Sequence, residues 1–256
     1  MRNFNIVVLT IVLFTGSAFA AKINSGEDVI KAMHKKYENK WYKTLTFVQK
    51  NTQYRPDGSV ENSIWYEAMS LPGKLRIDFD PLENNAGMMF VNDQFHSINK
   101  GKIARSQRRI HPLMVFGFDV YGQPVEKTLK QIGELKIDLS VFHEIKSDGR
   151  DVYVIGAKKG DLKTRQVWID KKNLLFIKML EPAGQDGSGV QETQFNKYQK
   201  VKGGGWIAPE VVFLLNGKRT FVEEYTDIQT NIQLAENLFD PNSWTSVDKG
   251  YFKVEK

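Results

Sequence analysis

From Lys74 to Asp80 the chain alternates without a break. Leu75, Ile77 and Phe79 fall on one side, and Lys74, Arg76, Asp78 and Asp80 on the other. Successive side chains of a strand point to opposite faces, so this pattern predicts a strand with one apolar and one water-facing side. Leu71-Pro72-Gly73 separates it from an earlier strand-like run, Ile64 to Met69, which makes the pair a hairpin with a tight turn. Upstream, Lys43 to Tyr54 is rich in Thr, Phe and Val and closes on Pro56-Asp57-Gly58, a further strand and turn. Met88–Val91 and Gln94–Ile98, parted by Asn92-Asp93, form the next hairpin.

Strand patterns return in the second half of the chain. Val152–Ala157, Arg165–Asp170, Leu174–Leu180, Val190–Tyr198, Trp206–Leu215 and Lys218–Gln229 all qualify. Turn-forming clusters separate them, and Gly184-to-Gly189 and Gly203-to-Gly205 read as two of those turns, not as nucleotide-binding loops. Short strands joined by hairpin turns predict one meandering antiparallel sheet.

Two stretches carry a helical period instead. Val29, Ile30, Met33, Tyr37 and Trp41 recur every three or four residues behind Ser25, with Asp28 placed as in a capping box. Between Ile110 and Leu139 an apolar segment, His111 to Phe118, precedes Val125, Leu129, Ile132 and Leu135 at helical spacing, with Pro124 at the start. The expected fold is mainly β (α+β). A single curved sheet has its inner face covered by an N-terminal amphipathic helix and by the 110–135 insert. No repeat or linker interrupts residues 21–256, which read as one domain.

The first residues change the cellular context. Arg2, an apolar run from Ile6 to Phe14 and Ala18-Phe19-Ala20 have the layout of a secretory signal peptide with cleavage after Ala20. The apolar run is shorter than the ~20 residues that span a bilayer, and no later segment is long and apolar enough. The expected product is exported to the periplasm. Removing residues 1–20 takes away Arg2 and no acid, so the net charge falls from +6 to +5. Those charges are scattered, which does not call for a nucleic-acid partner. The densest run, Lys102 to Arg109, reads as a solvated edge or as a rim for lipid phosphates or an acidic partner.

Candidate chemistry is sparse. There is no cysteine, so thiol chemistry and cysteine-ligated metal are excluded. His34, His96, His111 and His143 have no metal-ligand spacing, and no G-x-S-x-G elbow occurs. Asp78 and Asp80 share a strand face and could flank a glycosidic bond, which keeps an exported hydrolase as one reading. With no cofactor expected, what remains is apolar surface. The inner face of the sheet is either a filled core, as in a non-carrier envelope scaffold, or an open apolar pocket.

The order of these pieces resembles the LolA-like periplasmic carriers of outer-membrane lipoproteins. The resemblance rests on Phe47-Val48-Gln49-Lys50, Trp65-Tyr66-Glu67-Ala68, Pro72-Gly73-Lys74-Leu75-Arg76, Asp80-Pro81 and Phe90-Val91-Asn92-Asp93-Gln94-Phe95. It implies an unclosed half barrel with a helical lid that carries acyl chains and has no enzymatic activity. By position, Phe47, Leu75, Ile77 and Phe79 would line the apolar groove, and Val115, Phe116 and Phe118 would belong to the lid. Leu238-Phe239-Asp240-Pro241 would be the closing strand. The implied partners are an acyl-lipid or lipoprotein cargo and envelope membrane complexes, with the carrier a monomer. One position departs from the family: the arginine that precedes the turn proline and bonds the lid is Leu71 here.

Overall fold

A computed structural model describes residues 22–253. The proposed signal peptide and its cleavage site lie outside the described residues. Helix α1 (Gly26–Tyr37) starts where the sequence places it. Ser25 caps it, its hydroxyl accepting the Asp28 N–H at 3.1 Å, while the Asp28 carboxylate accepts from Asn24 N–H at 3.0 Å. Strands β1 (Thr44–Tyr54), β2 (Val60–Ser70), β3 (Lys74–Phe79), β4 (Gly87–Val91), β5 (Gln94–Asn99) and β6 (Lys102–Arg108) follow as a meander. The insert forms α2 (Pro112–Gly117), a 3-10 turn at Asp119–Tyr121 and α3 (Val125–Glu134). The second meander is β7 (Phe142–Ser147), β8 (Arg150–Ile155), β9 (Gln166–Asp170), β10 (Leu175–Ala183), β11 (Gly189–Asn196), β14 (Glu210–Leu215) and β15 (Lys218–Thr230). A two-stranded ribbon of β12 (Gln199–Lys200) and β13 (Trp206–Ile207) projects from it.

All of these except the ribbon belong to one 13-stranded antiparallel sheet. Its order is β6-β5-β4-β3-β2-β1-β15-β14-β11-β10-β9-β8-β7. The first and last long strands, β1 and β15, therefore pair at its centre. Its two free edges, β6 and β7, are consecutive in sequence and bridged by the helical insert. The sheet stays unclosed, a half barrel. Register shifts at Thr46/Val48 against β15, at Phe176/Lys178 against β9 and at Ser97/Ile98 against β6 supply local bends, since an extra residue on one strand increases coil and twist.

The concave side buries α1 through Val29, Ile30, Met33 and Tyr37, and the insert through Val115, Phe116, Val120 and Tyr121. Trp41 stacks on Tyr121 with ring centroids 3.9 Å apart, and the Tyr121 hydroxyl accepts the Phe176 N–H at 3.1 Å. Gly204, at φ +100°, lets the ribbon's loop press against this end of the core: a Cβ there would lie 2.4 Å from the Lys40 carbonyl.

Three expectations are corrected. First, the polar face of β3 is not water-facing: Arg76 and Asp78 are fully buried. The C-terminal segment crosses the convex face over β2–β5 and seals them in. Arg76 Nε and Nη2 donate to the Asp78 carboxylate at 2.6 and 3.0 Å. Its guanidinium also donates to the Leu238 and Trp244 carbonyls and lies 3.9 Å from the centroid of the Trp244 ring. The Tyr251 hydroxyl donates to Asp78 at 2.7 Å. Asp78 is thus a structural counter-ion, and Asp80 accepts from the Tyr66 hydroxyl at the exposed strand end. Second, Leu238–Pro241 is not a closing strand. It forms 3-10 turns, Glu236–Phe239 and Pro241–Ser243, that place Leu238 and Phe239 against Ala68. Third, Trp206–Leu215 is two strands, split at Ala208-Pro209, where proline has no N–H for a ladder. Strand β7 was not anticipated from its sequence, FHEIKS, whose alternation is interrupted by charge.

A lidded cavity with one polar wall

Within the half barrel the helices fill the part beneath β8–β10 and leave a cavity of about 330 Å³ beneath β1–β3, β11, β14 and β15. Its position follows from register. Phe47 on β1 is opposite Glu67 on β2, which is opposite Ile77 on β3; Met69 is opposite Leu75. Paired residues share a face, so one row of inward side chains crosses three strands. From the other meander, Phe213 on β14 pairs with Phe221 and with Thr193 on β11, and Phe195 pairs with Val211.

Four of the seven residues expected at the site line this cavity. Phe47, Leu75 and Ile77 form floor and Phe118 comes down from the insert. Phe79 is half-buried outside it, its ring 5.0 Å from that of Trp65. Val115 and Phe116 face the packed part of the core, where Phe116 lies 5.8 Å from Phe176. The cavity-facing residues of the insert include Pro112, Leu113, Met114 and Phe118. Gly117 permits close seating of α2: a Cβ there would be 2.9 Å from the Phe195 ring.

The polar residues of the cavity were missed in the sequence. Gln49, Glu67, Thr193, Glu223 and Tyr225 line one wall. Glu67 is 6% exposed, and burial together with the nearby Glu223 charge pushes its carboxyl well above the usual range. Glu223 is pushed up to about 7 by burial, partly offset by the Tyr225 hydroxyl donating to it at 2.6 Å. The alternation of β2 was the available signal: Glu67 sits between Trp65 and Met69 on the same face. Arg109, Glu181 and His111 also reach the cavity. His111 is lowered to about 4 by burial and by Arg109, so it is neutral and its Nδ1 accepts the Met114 N–H at the start of α2.

The lid is bonded to the sheet at two hairpin turns. Asp119 accepts the Gly73 N–H at 3.0 Å, two residues beyond Leu71, and Gln131 donates to Asp93 at 2.8 Å in the Asn92-Asp93 turn. Gln123 ties the insert together by donating to Thr128 and Gln131. Arg108 at the end of β6 pairs with Glu134 of α3. A buried Asp119 side chain on the insert thus bonds lid to turn.

Strand order, free edges bridged by a helical lid, and a concavity beneath it define a LolA-like fold. Solved structures share it over nearly their full lengths. A protein from Vibrio parahaemolyticus described as an outer membrane lipoprotein-sorting protein domain has TM-score 0.57 and 15% identity, over 86% of this chain and 97% of that one. A DUF1329 family protein from Desulfovibrio piger has TM-score 0.58 and 15% identity, over 84% and 95%. A LolA superfamily protein from Nitrosomonas europaea has TM-score 0.53 and 10% identity, over 82% and 96%. No family model and no curated protein matches the sequence. Among the described residues no helix is long and apolar enough to cross a membrane, and no group of three or more His, Asp or Glu side chains is placed to hold a metal ion.

Proposed function

We propose that the chain is an exported, non-enzymatic carrier that takes the acyl chain of a lipid or lipoprotein into this cavity. The observation that carries the reading is an apolar floor, Phe47, Met69, Leu75 and Ile77, left unfilled beneath a bonded lid. An unfilled apolar volume forfeits packing, so a chain that fits it gains both hydrophobic transfer and contact. Its volume of about 330 Å³ falls within the ~300–1,000 Å³ of small-molecule sites. Each buried methylene contributes roughly 0.8 kcal/mol, which gives reversible capture of one chain without a catalytic group. The signal-peptide pattern of residues 1–20 supports a periplasmic site of action, as one domain from residue 21 onwards.

The test is native mass spectrometry of full-length protein purified from the periplasm of expressing cells, followed by uptake of a neutral fluorescent alkyl probe. The expected result is an acyl-bearing adduct that organic solvent removes, with probe uptake by the stripped protein. Clean unliganded mass together with no probe uptake overturns the carrier reading and favours a scaffold.

A further inference from the structure

The cavity's polar wall is unlike that of a simple hydrocarbon slot. Glu67 is more than nine-tenths buried, faces the cavity and accepts no hydrogen bond from a described residue. The one charge acting on it is of the same sign, Glu223. Glu223 accepts the Tyr225 hydroxyl, so that proton is already committed. Gln49, 1% exposed, donates its amide to Asn51 Oδ1 at 2.7 Å, which leaves its carbonyl oxygen as the free end. The wall therefore presents acceptors from β1, β2 and β15 with no cation opposite them. A buried carboxyl kept without a counter-charge is costly unless a partner arrives.

The cations near the cavity do not supply that partner. Arg109 is exposed at the rim, its guanidinium 5.6 Å from the Phe95 ring centroid, and His111 is neutral. Glu181 is already paired with Arg165 at 3.0 Å. Thr193 adds a hydroxyl and no charge.

We infer that the cavity selects amphiphiles with an amine head, the ammonium donating to Glu67 and Glu223 while the chain lies on Phe47, Leu75 and Ile77. An ammonium carries three donors and no acceptor, which matches a wall of acceptors. Charge-assisted bonds to two carboxylates are the strong kind. A fatty carboxylate would add a third acid to the same wall, and an alcohol would bring one donor and no charge where the ammonium brings three donors and a charge. On binding, the head keeps its charge, and protons held by the two carboxyls pass to solvent. The inference rests on the carrier reading and names the cargo's head group.

The test compares dodecylamine, dodecanol and dodecanoate, each below its solubility or micellar limit, on the stripped full-length protein at pH 7 by titration calorimetry in two buffers of different ionisation enthalpy. Dodecylamine is expected to bind about 10-fold tighter than dodecanol, and dodecanoate more weakly than either. Proton release is expected with the amine alone. In Glu67→Gln with Glu223→Gln, the amine-to-alcohol affinity ratio falls toward one; Glu67→Gln alone gives a partial fall. The proton-release measurement needs no variant, so it stands even where the double variant fails to fold. Equal binding of all three probes, or amine binding without proton release, overturns the head-group inference and leaves the carrier reading intact. Binding of none of the three overturns the carrier reading and this inference with it.

Discussion

Asp119 makes a sharp prediction because it is buried, charged at high pH and placed between lid and sheet. Its side chain is 2% exposed and accepts the Gly73 N–H at 3.0 Å, with Lys127 as a favourable charge and Asp93 as an unfavourable one. Burial outweighs both attractions and raises its carboxyl to about 7 from an ordinary 3.8. The folded state therefore holds this proton more tightly than the unfolded chain, so the unfolded state binds fewer protons in between. Stability contributed by the group is fully present below the ordinary carboxylate pKa and is lost as pH rises through about 7. Between pH 5.5 and 8 the loss from this one group is about 2 kcal/mol. Asp119→Asn retains an oxygen that accepts from Gly73 and removes the titration. Urea unfolding at half-unit steps from pH 5.5 to 8 should show wild-type stability falling more steeply than that of the variant, the two curves separating by that amount. Glu67 and Glu223 titrate in the same direction, but they do so in both proteins and cancel in the difference. Parallel curves for wild type and Asp119→Asn would refute the placement of a protonated carboxyl at the lid.

Two further outcomes test the convex side. Arg76→Ala removes one member of a fully buried pair and leaves Asp78 with Tyr251 and Lys249 alone. A loss of about 3 kcal/mol is expected by chemical denaturation, the low end of the range for breaking a buried pair, because Lys249 still faces Asp78 at 3.4 Å. Gly87→Ala puts a Cβ 2.1 Å from the Ile77 carbonyl and 2.7 Å from the Trp244 ring. It should loosen both the β3–β4 pairing and the C-terminal segment over it, read as a lowered melting temperature together with faster proteolytic clipping after residue 240.

Strand alternation exposed most of the fold in the sequence because hairpins are local: a turn and two alternating runs contain their own register. What stayed hidden depends on contacts far apart in the chain. The face of β3 carrying Arg76 and Asp78 has the pattern of a solvated surface, and only the crossing of residues 234–251 makes it a second core. Without knowing that Trp244 and Tyr251 return to that strand, an alternating Lys-Arg-Asp-Asp row reads as wet. The lid was legible as an element but not in rotation. Six residues of α2 are too few for their period to say which side meets packed core and which side meets cavity. Val115 and Phe116 went to the first, Met114 and Phe118 to the second.

The location of the cavity follows from that same asymmetry. Helix α1 and the Tyr121 cluster lie against β8–β10, where Ile155, Val167, Ile169 and Phe176 are inward and apolar, and there the half barrel is filled. Across β1, β2 and β15 the inward row carries Gln49, Glu67 and Glu223 among its apolar residues. Burying those groups against an apolar helix would strand them without partners, so close packing stops where the carboxyls begin. The polar wall and the unfilled volume thus have one cause. Glu67→Leu should then relieve the carboxyl's burial while removing the acceptor, raising the melting temperature at pH 8 and lowering the amine-to-alcohol binding ratio in the same protein. A variant that gained stability yet kept that ratio would separate the two and break the link between the acids and the cavity's selectivity.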